Sequence, residues 1–151
     1  WSRTTVAWFQ RAAAVVGVAA ILAFVAGDGF VLSVPERGQP VAGLASWLAA
    51  HQLTDGVGDY WSASITTVQS RGLVTVRPVM ATADNQIVRY PRESEARWYE
   101  GQRFQFLVFN ASSIWISVDS TSAAATWGAP AHTYAVGSYR VLVWPQPISV
   151  A

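Results

Sequence analysis

The stretch RAAAVVGVAAILAFVAGDGF, from Arg11 to Phe30, contains no charged residue between Arg11 and Asp28. A helix needs about 17–25 mostly apolar residues to cross the hydrocarbon core of a bilayer. The run Ala12–Gly27 is uniformly apolar or glycine, and it reaches that length when it is extended in either direction. The sequence therefore predicts a transmembrane helix within residues 1–34, and the rest of the chain is interpreted from that prediction.

Two other interpretations of this stretch stay open. A buried helix of a globular domain normally has one polar face, which Ala12–Gly27 lacks. A signal peptide would combine the basic residues near the start with the apolar run, and the small residues VAG would form its cleavage site. The transmembrane interpretation is favoured over both.

The charges on either side of the apolar run predict its orientation. Arg3 and Arg11 precede it, whereas Asp28 and Glu36 follow it. Because basic residues are enriched on the cytoplasmic side of spanning helices, we expect a cytoplasmic N-terminus and an extracytoplasmic chain after about Val34. The lipid bilayer is thus the first expected partner, and we expect the chain to belong to a longer protein with more spanning helices upstream.

Composition excludes several classes of function. Charged residues make up 13% of the chain and hydrophobic residues 52%, whereas globular proteins usually carry about a quarter charged residues. The formal net charge of +1 gives no basis for a nucleic-acid partner, which needs clustered basic residues. The chain has no Cys, and His51 and His132 lack a metal-ligand spacing, so no metal or other cofactor is predicted.

Residues 35–40, PERGQP, form a short proline-bounded linker, and residues 41–151 form the predicted extracytoplasmic domain. We expect an α+β fold with three to four strands and two to three helices. The predicted helices are Val41–Leu53, Tyr60–Gln69 with Asp59 as N-cap, and a short helix that Ser120 or Thr121 caps and that ends near Thr126. The stretch TDGVGD (Thr54–Asp59) is predicted to be a break between the first two helices.

The strand predictions follow from alternation, aromatic content and turn residues. Leu73–Val79 alternates, with Pro78 marking its end or a sheet edge. Phe104–Phe109 is nearly continuously apolar, as is typical of a central strand. Gly137-Ser138 suits a two-residue turn between the strands Thr133–Val136 and Tyr139–Trp144, and Ile87–Tyr90 is a short extended piece in a long connection.

Two segments of the domain resemble the C-terminal region of a known family. They are GVGDYWSASITTVQSRGLVTVRPV (Gly56–Val79) and WGAPAHTYAVGSYRVLVWP (Trp127–Pro145). Both are similar to parts of large bacterial polytopic membrane glycosyltransferases of the dolichyl-phosphate-mannose mannosyltransferase and aminoarabinose-transferase type. The resemblance covers about Val41–Trp144 and one preceding helix, and its motifs are diffuse.

The resemblance implies an accessory extracytoplasmic domain without its own catalytic residue. In that family the catalytic carboxylate lies in a loop after the first spanning helix, and no part of this chain corresponds to that loop. The parent protein would then be a glycosyltransferase, while this chain alone would not be an enzyme. Its partners would be the missing membrane portion of the same protein and a polyprenyl-phosphate sugar.

Aromatic and arginine side chains supply the candidate ligand-binding residues. Aromatic ring faces stack on sugars, and the arginine fork matches phosphate oxygens. The pairs Tyr60-Trp61 and Trp98-Tyr99 are the aromatic residues most expected at the surface, although a role in the core is favoured for Trp61. The candidates are Asp59, Tyr60, Trp61, Arg77, Arg92, Arg97, Trp98 and Tyr99.

A second hypothesis stays open beside the accessory domain. A singly anchored cell-surface module that binds a polysaccharide or a protein partner would show the same aromatic content. A protein released by a signal peptidase is the weakest of the alternatives.

Overall fold

The computed structural model describes residues 40–92, 94–114 and 118–151. The predicted spanning helix in residues 1–34 lies outside these residues, as does the predicted linker except for Pro40. Within the described ranges, no helix combines the length and the apolar character that a membrane crossing needs.

The described part is an α+β fold, as predicted, with three α-helices. Its six strands exceed the predicted three to four. In chain order the elements are α1 (Pro40–Ala50), β1 (Asp55–Gly58), α2 (Tyr60–Gln69), β2 (Thr75–Ala81), β3 (Ile87–Arg89), a 3-10 helix (Ala96–Trp98), β4 (Phe104–Asn110), α3 (Ser120–Trp127), β5 (His132–Val136) and β6 (Tyr139–Ile148).

All six strands form one mixed sheet in the order β3-β2-β1-β4-β6-β5. Strand β1 lies parallel to both β2 and β4, and the remaining pairs are antiparallel. Helix α2 connects the parallel neighbours β1 and β2, as parallel strands require a crossover. The predicted hairpin is confirmed, with Val136 opposite Tyr139 and Gly137 at a positive φ of 59°.

The prediction of a break at Thr54–Asp59 is wrong for Asp55–Gly58, which forms the central strand β1. Glycine has low strand propensity, and for this reason the local pattern did not predict a strand. Here the neighbours require glycine, because a Cβ on Gly56 would overlap the ring of Phe106. A Cβ on Gly58 would lie 2.6 Å from the carbonyl oxygen of Val108.

Pro78 lies inside β2 and not at its end, so this prediction also needs correction. Strand β2 pairs with β1 through Thr75–Pro78 and with β3 through Val79–Ala81. Pro78 therefore stands where the pairing passes from one neighbour to the other. A residue without an N–H is tolerated at such a junction.

The helix predictions are largely confirmed, with shifted ends. Asp59 caps α2 as predicted, whereas Asp119 caps α3 in place of Ser120 or Thr121 and forms a capping box with Ser122. Helix α1 ends at Ala50, before the predicted Leu53, and Gln52 has a positive φ of 59°.

Each face of the sheet has its own core. On one face, α1 and α2 pack against the sheet around Phe106, with Leu44, Leu48 and Ala63 among the buried helix residues. On the other face, Leu107 and Val57 pack with Ala123 of α3, and Trp98 of the 3-10 helix packs at the side. Alternation along β4 thus divides the molecule into a helical face, covered by α1 and α2, and an opposite face.

Candidate anion-binding cleft

A cavity of about 510 Å³ opens where the three parallel strands begin. Asp55, Thr75 and Phe104, the first residues of β1, β2 and β4, all line it. Its charged and amide side chains are those of Asp55, Arg77, Arg97, Gln102 and Arg103, with Trp98 beside them. Three arginines against Asp55 and Glu95, the ion-pair partner of Arg97, leave the cleft with an excess of positive charge.

Arg77 is positioned by an aromatic ring and not by a carboxylate. Its guanidinium lies 4.7 Å from the centre of the Trp98 ring, and both side chains are half-buried. A cation over an indole face is attracted by the ring's electron density, and this attraction leaves the N–H donors at the guanidinium edge available. Arg77 can therefore be held in place while it still offers a donor fork to a ligand.

Tyr99 anchors the segment that carries Arg97 and Trp98. It is 3% exposed, and its hydroxyl donates to the carbonyl oxygen of Pro78 at 2.5 Å. Ser94 adds a second hydrogen bond that fixes this segment, because its hydroxyl donates to the carbonyl oxygen of Tyr90. Tyr99, a predicted ligand-binding residue, thus lies in the core and supports the cleft from behind.

Burial raises the pKa of Tyr99 above its ordinary value, and three neighbours oppose this effect. The hydroxyl of Ser94 and the positive charges of Arg77 and Arg89 each lower the pKa of Tyr99. The phenol therefore stays protonated at neutral pH and remains a hydrogen-bond donor to Pro78.

Of the three arginines in the cleft, Arg97 alone has a carboxylate partner among the described residues. Arg97 pairs with Glu95 at 2.5 Å, but both side chains are more than half exposed, so the ion pair contributes little to the stability of the fold. In the described ranges, neither Arg77 nor Arg103 forms an ion pair. An anion that enters the cleft would therefore meet cationic groups without first displacing a strong partner.

The sequence did not single out Arg103 and Gln102, which the fold brings into the cleft. They immediately precede β4, the most clearly predicted strand. The sequence signal was their position as a polar pair directly before a predicted central strand. Their place in the cleft follows from the pairing of β4 with β1 in the sheet.

Asp59 lies outside the cleft and is fully engaged in the fold. Its carboxylate accepts from the backbone N–H of Ser62 at 3.1 Å, from the Ser62 hydroxyl at 2.5 Å and from the backbone N–H of Asn110 at 3.2 Å. With 3% exposure, it joins the start of α2 to the end of β4. Asp59 is thus placed as a structural cap.

Tyr60, Trp61 and Arg92 also lie away from the cavity. Tyr60 is half-buried, and its ring centre is 5.1 Å from that of Trp61 and 5.2 Å from that of Tyr90. The role in the core that was favoured for Trp61 is wrong, since this residue is 63% exposed. Arg92 is exposed in the connection after β3.

Tertiary structure also brings both histidines to a single tyrosine. The Tyr134 ring centre lies 6.3 Å from that of His51 and 5.9 Å from that of His132, and Trp47 stacks on His51 at 3.8 Å. In this cluster His51 and His132 are exposed, whereas Trp47 and Tyr134 are half-buried and pack against the core of the helical face. Within the described residues, no group of three His, Asp or Glu side chains is placed to hold a metal ion.

Comparison with family models, with curated proteins and with solved structures gives no significant match. The arguments about function therefore rest on the cleft and on the surfaces of the domain.

Proposed function

We propose that this domain is a non-catalytic accessory module of a membrane glycosyltransferase-like protein, and that its cleft binds a phosphate group of the substrate. The module lies on the extracytoplasmic side under this proposal, and the chemistry occurs in the membrane portion of the parent protein. The phosphate belongs either to a polyprenyl-phosphate sugar or to an anionic acceptor glycan.

The observation that carries the proposal is the convergence of Arg77, Arg97 and Arg103 on one cavity. Planar guanidinium groups bind phosphate through paired, charge-assisted hydrogen bonds, which are about twice as strong as neutral ones. Gln102 adds amide donors at the same cavity. A neutral glycan would gain less from three arginines than a phosphate does.

The proposal of a non-catalytic role draws support from how the nearby carboxylates are used. Acid–base hydrolysis of a glycosidic bond needs two carboxylates across a cleft, at about 5–10 Å. Asp55 lines this cleft and Glu95 is paired with the cleft residue Arg97, whereas Asp59 is buried as the cap of α2. The Thr54 hydroxyl donates to the Asp55 carboxylate at 2.8 Å, which gives that group a local partner as well.

One observation favours a second candidate, the singly anchored polysaccharide-binding module. The cluster of Trp47, His51, His132 and Tyr134 combines two exposed imidazole rings with two half-buried aromatic rings. Such rings stack on sugars without any need for charge. Under this alternative, replacement of Tyr134 would weaken polysaccharide binding, and replacement of the cleft arginines would leave it unchanged.

Binding measurements with the full chain in detergent micelles test the proposal. The probes are inorganic phosphate, glucose 1-phosphate and farnesyl phosphate, with glucose and farnesol as uncharged controls. We expect Arg77→Gln or Arg103→Gln to weaken phosphate binding about tenfold or more, since a hydrogen bond to a charged group contributes about 1.5–3 kcal/mol. Arg92→Gln, outside the cavity, should leave binding unchanged.

The two phosphate sources give different results. Farnesyl phosphate binding more tightly than glucose 1-phosphate would indicate a lipid carrier, and the reverse order would indicate an acceptor. Equal binding of glucose and glucose 1-phosphate would overturn the proposed role of the arginines. Turnover of a lipid-linked sugar by this chain alone would overturn the non-catalytic role.

A further inference from the structure

The layer formed by α1 and α2 contains no charged residue. The sequences PVAGLASWLAA and YWSASITTVQ hold only apolar, small and uncharged polar side chains. The outer face of a helix at a protein–water boundary normally carries charged or strongly polar residues. The outer side of both helices therefore holds no charge that would oppose contact with an environment less polar than water.

Large apolar side chains project from this layer. Trp61 is 63% exposed, Val68 is 75% exposed and Ile65 is 38% exposed, at the spacing that aligns residues along one side of a helix. Leu73, in the connection from α2 to β2, is 71% exposed. These four residues form an apolar ridge, a feature typical of an interaction surface and not of single exposed residues.

Chain connectivity indicates which partner the ridge meets. The chain outside the described part enters α1 directly, and it contains the apolar run Ala12–Gly27 that predicts a spanning helix. In the sequence, only residues 35–39 separate the predicted spanning segment from α1. The helical layer thus directly follows a predicted membrane anchor in the sequence, which makes a bilayer the partner that we infer for the ridge.

The chemistry of the ridge matches the boundary between headgroups and hydrocarbon. Tryptophan is enriched at that boundary, where its ring is buried and its N–H stays near water. Arg71, exposed between α2 and Leu73, can meet lipid phosphates while Leu73 enters the apolar layer. We therefore propose that the ridge of Trp61, Ile65, Val68 and Leu73 docks onto the lipid bilayer surface.

The test uses the natural absence of cysteine, because one introduced cysteine gives one labelled site. The variants are Val68→Cys and Leu73→Cys on the ridge, and Ala124→Cys as the matched control on the exposed side of α3. Each full-length chain carries an environment-sensitive fluorophore in vesicles of phosphatidylethanolamine and phosphatidylglycerol. Near-UV circular dichroism checks that each variant is folded.

Labels at positions 68 and 73 should show a blue shift and several-fold stronger emission than the label at 124. Nitroxide-bearing lipids should quench them, and aqueous iodide should not. Equal iodide quenching at all three positions overturns the proposal. Protection from iodide without quenching by lipid nitroxide, lost on dilution of protein in lipid, also overturns it and assigns the ridge to a second copy of the chain.

This inference is independent of phosphate binding in the cleft. Labels that report lipid contact support docking of the ridge onto the bilayer, even when the arginine variants bind phosphate normally. Arginine variants that lose phosphate binding support the proposal that the cleft binds phosphate, whatever environment the labels report.

Discussion

On the helical face of the sheet, α1 and α2 carry no charged side chain, whereas the opposite face carries the arginine cleft and the 3-10 helix. Both faces bury a comparable apolar core, with Phe106 central to one and Leu107 to the other. The difference therefore lies in what each face presents outward and not in how each is packed. The two proposals, lipid docking on the ridge and anion binding in the cleft, both depend on this difference.

The contrast between the faces also bears on the source of the phosphate. A bilayer docked on the ridge would leave the arginine cleft turned towards the aqueous side, beyond the thickness of the sheet. A ligand that approaches from water then reaches the cleft more easily than a phosphate held in the headgroup layer. The two proposals taken together favour an anionic acceptor glycan over the lipid carrier.

The largest effect is expected at the strand that both faces share. Gly56→Ala places a Cβ against the Phe106 ring, at the centre of the helical face, and should lower the free energy of unfolding by about 3 kcal/mol or more. Urea denaturation measures the change. Gly43→Ala, on α1 with open space around it, is the matched control and should raise stability by about 0.5–1 kcal/mol. A mild Gly56→Ala would mean that β1 tolerates side chains.

A smaller effect is expected where the cap of α2 joins β4. Asp59→Ala removes the acceptor for Ser62 and Asn110 and should lower the free energy of unfolding by about 2–3 kcal/mol. Phosphate affinity should not change, since Asp59 lies outside the cleft. Asp59→Asn, which can still cap the helix, should lose less. Weakened phosphate binding by a folded Asp59→Ala variant would connect the cap to the cleft.

The buried tyrosines allow the two faces to be compared by pH. Burial raises the pKa of Tyr99 on the opposite face and of Tyr139 on the helical face, and the charge of Asp59 raises the pKa of Tyr139 further. Each phenol then ionises at lower pH in the unfolded chain than in the folded one. Their stabilising contribution is therefore complete below about pH 10 and is lost as pH rises through the folded pKa.

Tyr99→Phe should cost about 1–2 kcal/mol at neutral pH, because the carbonyl oxygen of Pro78 loses a buried donor. The same variant should show a shallower loss of stability in alkaline solution, and chemical denaturation on both sides of pH 10 measures this. Tyr139→Phe is the corresponding variant on the helical face. Parallel alkaline curves for the wild type and both variants would contradict the linkage.

The smallest effect on folding is expected at the ridge. Leu73→Ser should change the free energy of unfolding by no more than about 0.5 kcal/mol, since this side chain is 71% exposed. Thermal denaturation in the absence of lipid provides the comparison. A large loss of stability would show that Leu73 serves the core and not an external surface.

Several parts of the site depended on distant contacts that the sequence pattern did not reveal. The candidates Arg77, Arg97 and Trp98 do meet in one cavity, but Arg103 and Gln102 join them only because β4 pairs beside β1. The sequence favours the core for Trp61, because a large ring can fill volume in a domain with few Leu and Ile, yet Trp61 projects from α2. Burial depends on which side of a helix packs, and α2 has no charged residue to mark its outer side and buries the polar Ser62 and Thr66.

Local signals were sufficient for α2 with its Asp59 cap, for the apolar strand β4 and for the hairpin of β5 and β6. Caps, turns and apolar runs act between residues that are close in the chain, so the sequence by itself determined them. Only the tertiary structure made Asp55–Gly58 a central strand, because Phe106 and Val108, distant in sequence, require the glycines there. The same long-range pairing decided which arginines share a cleft.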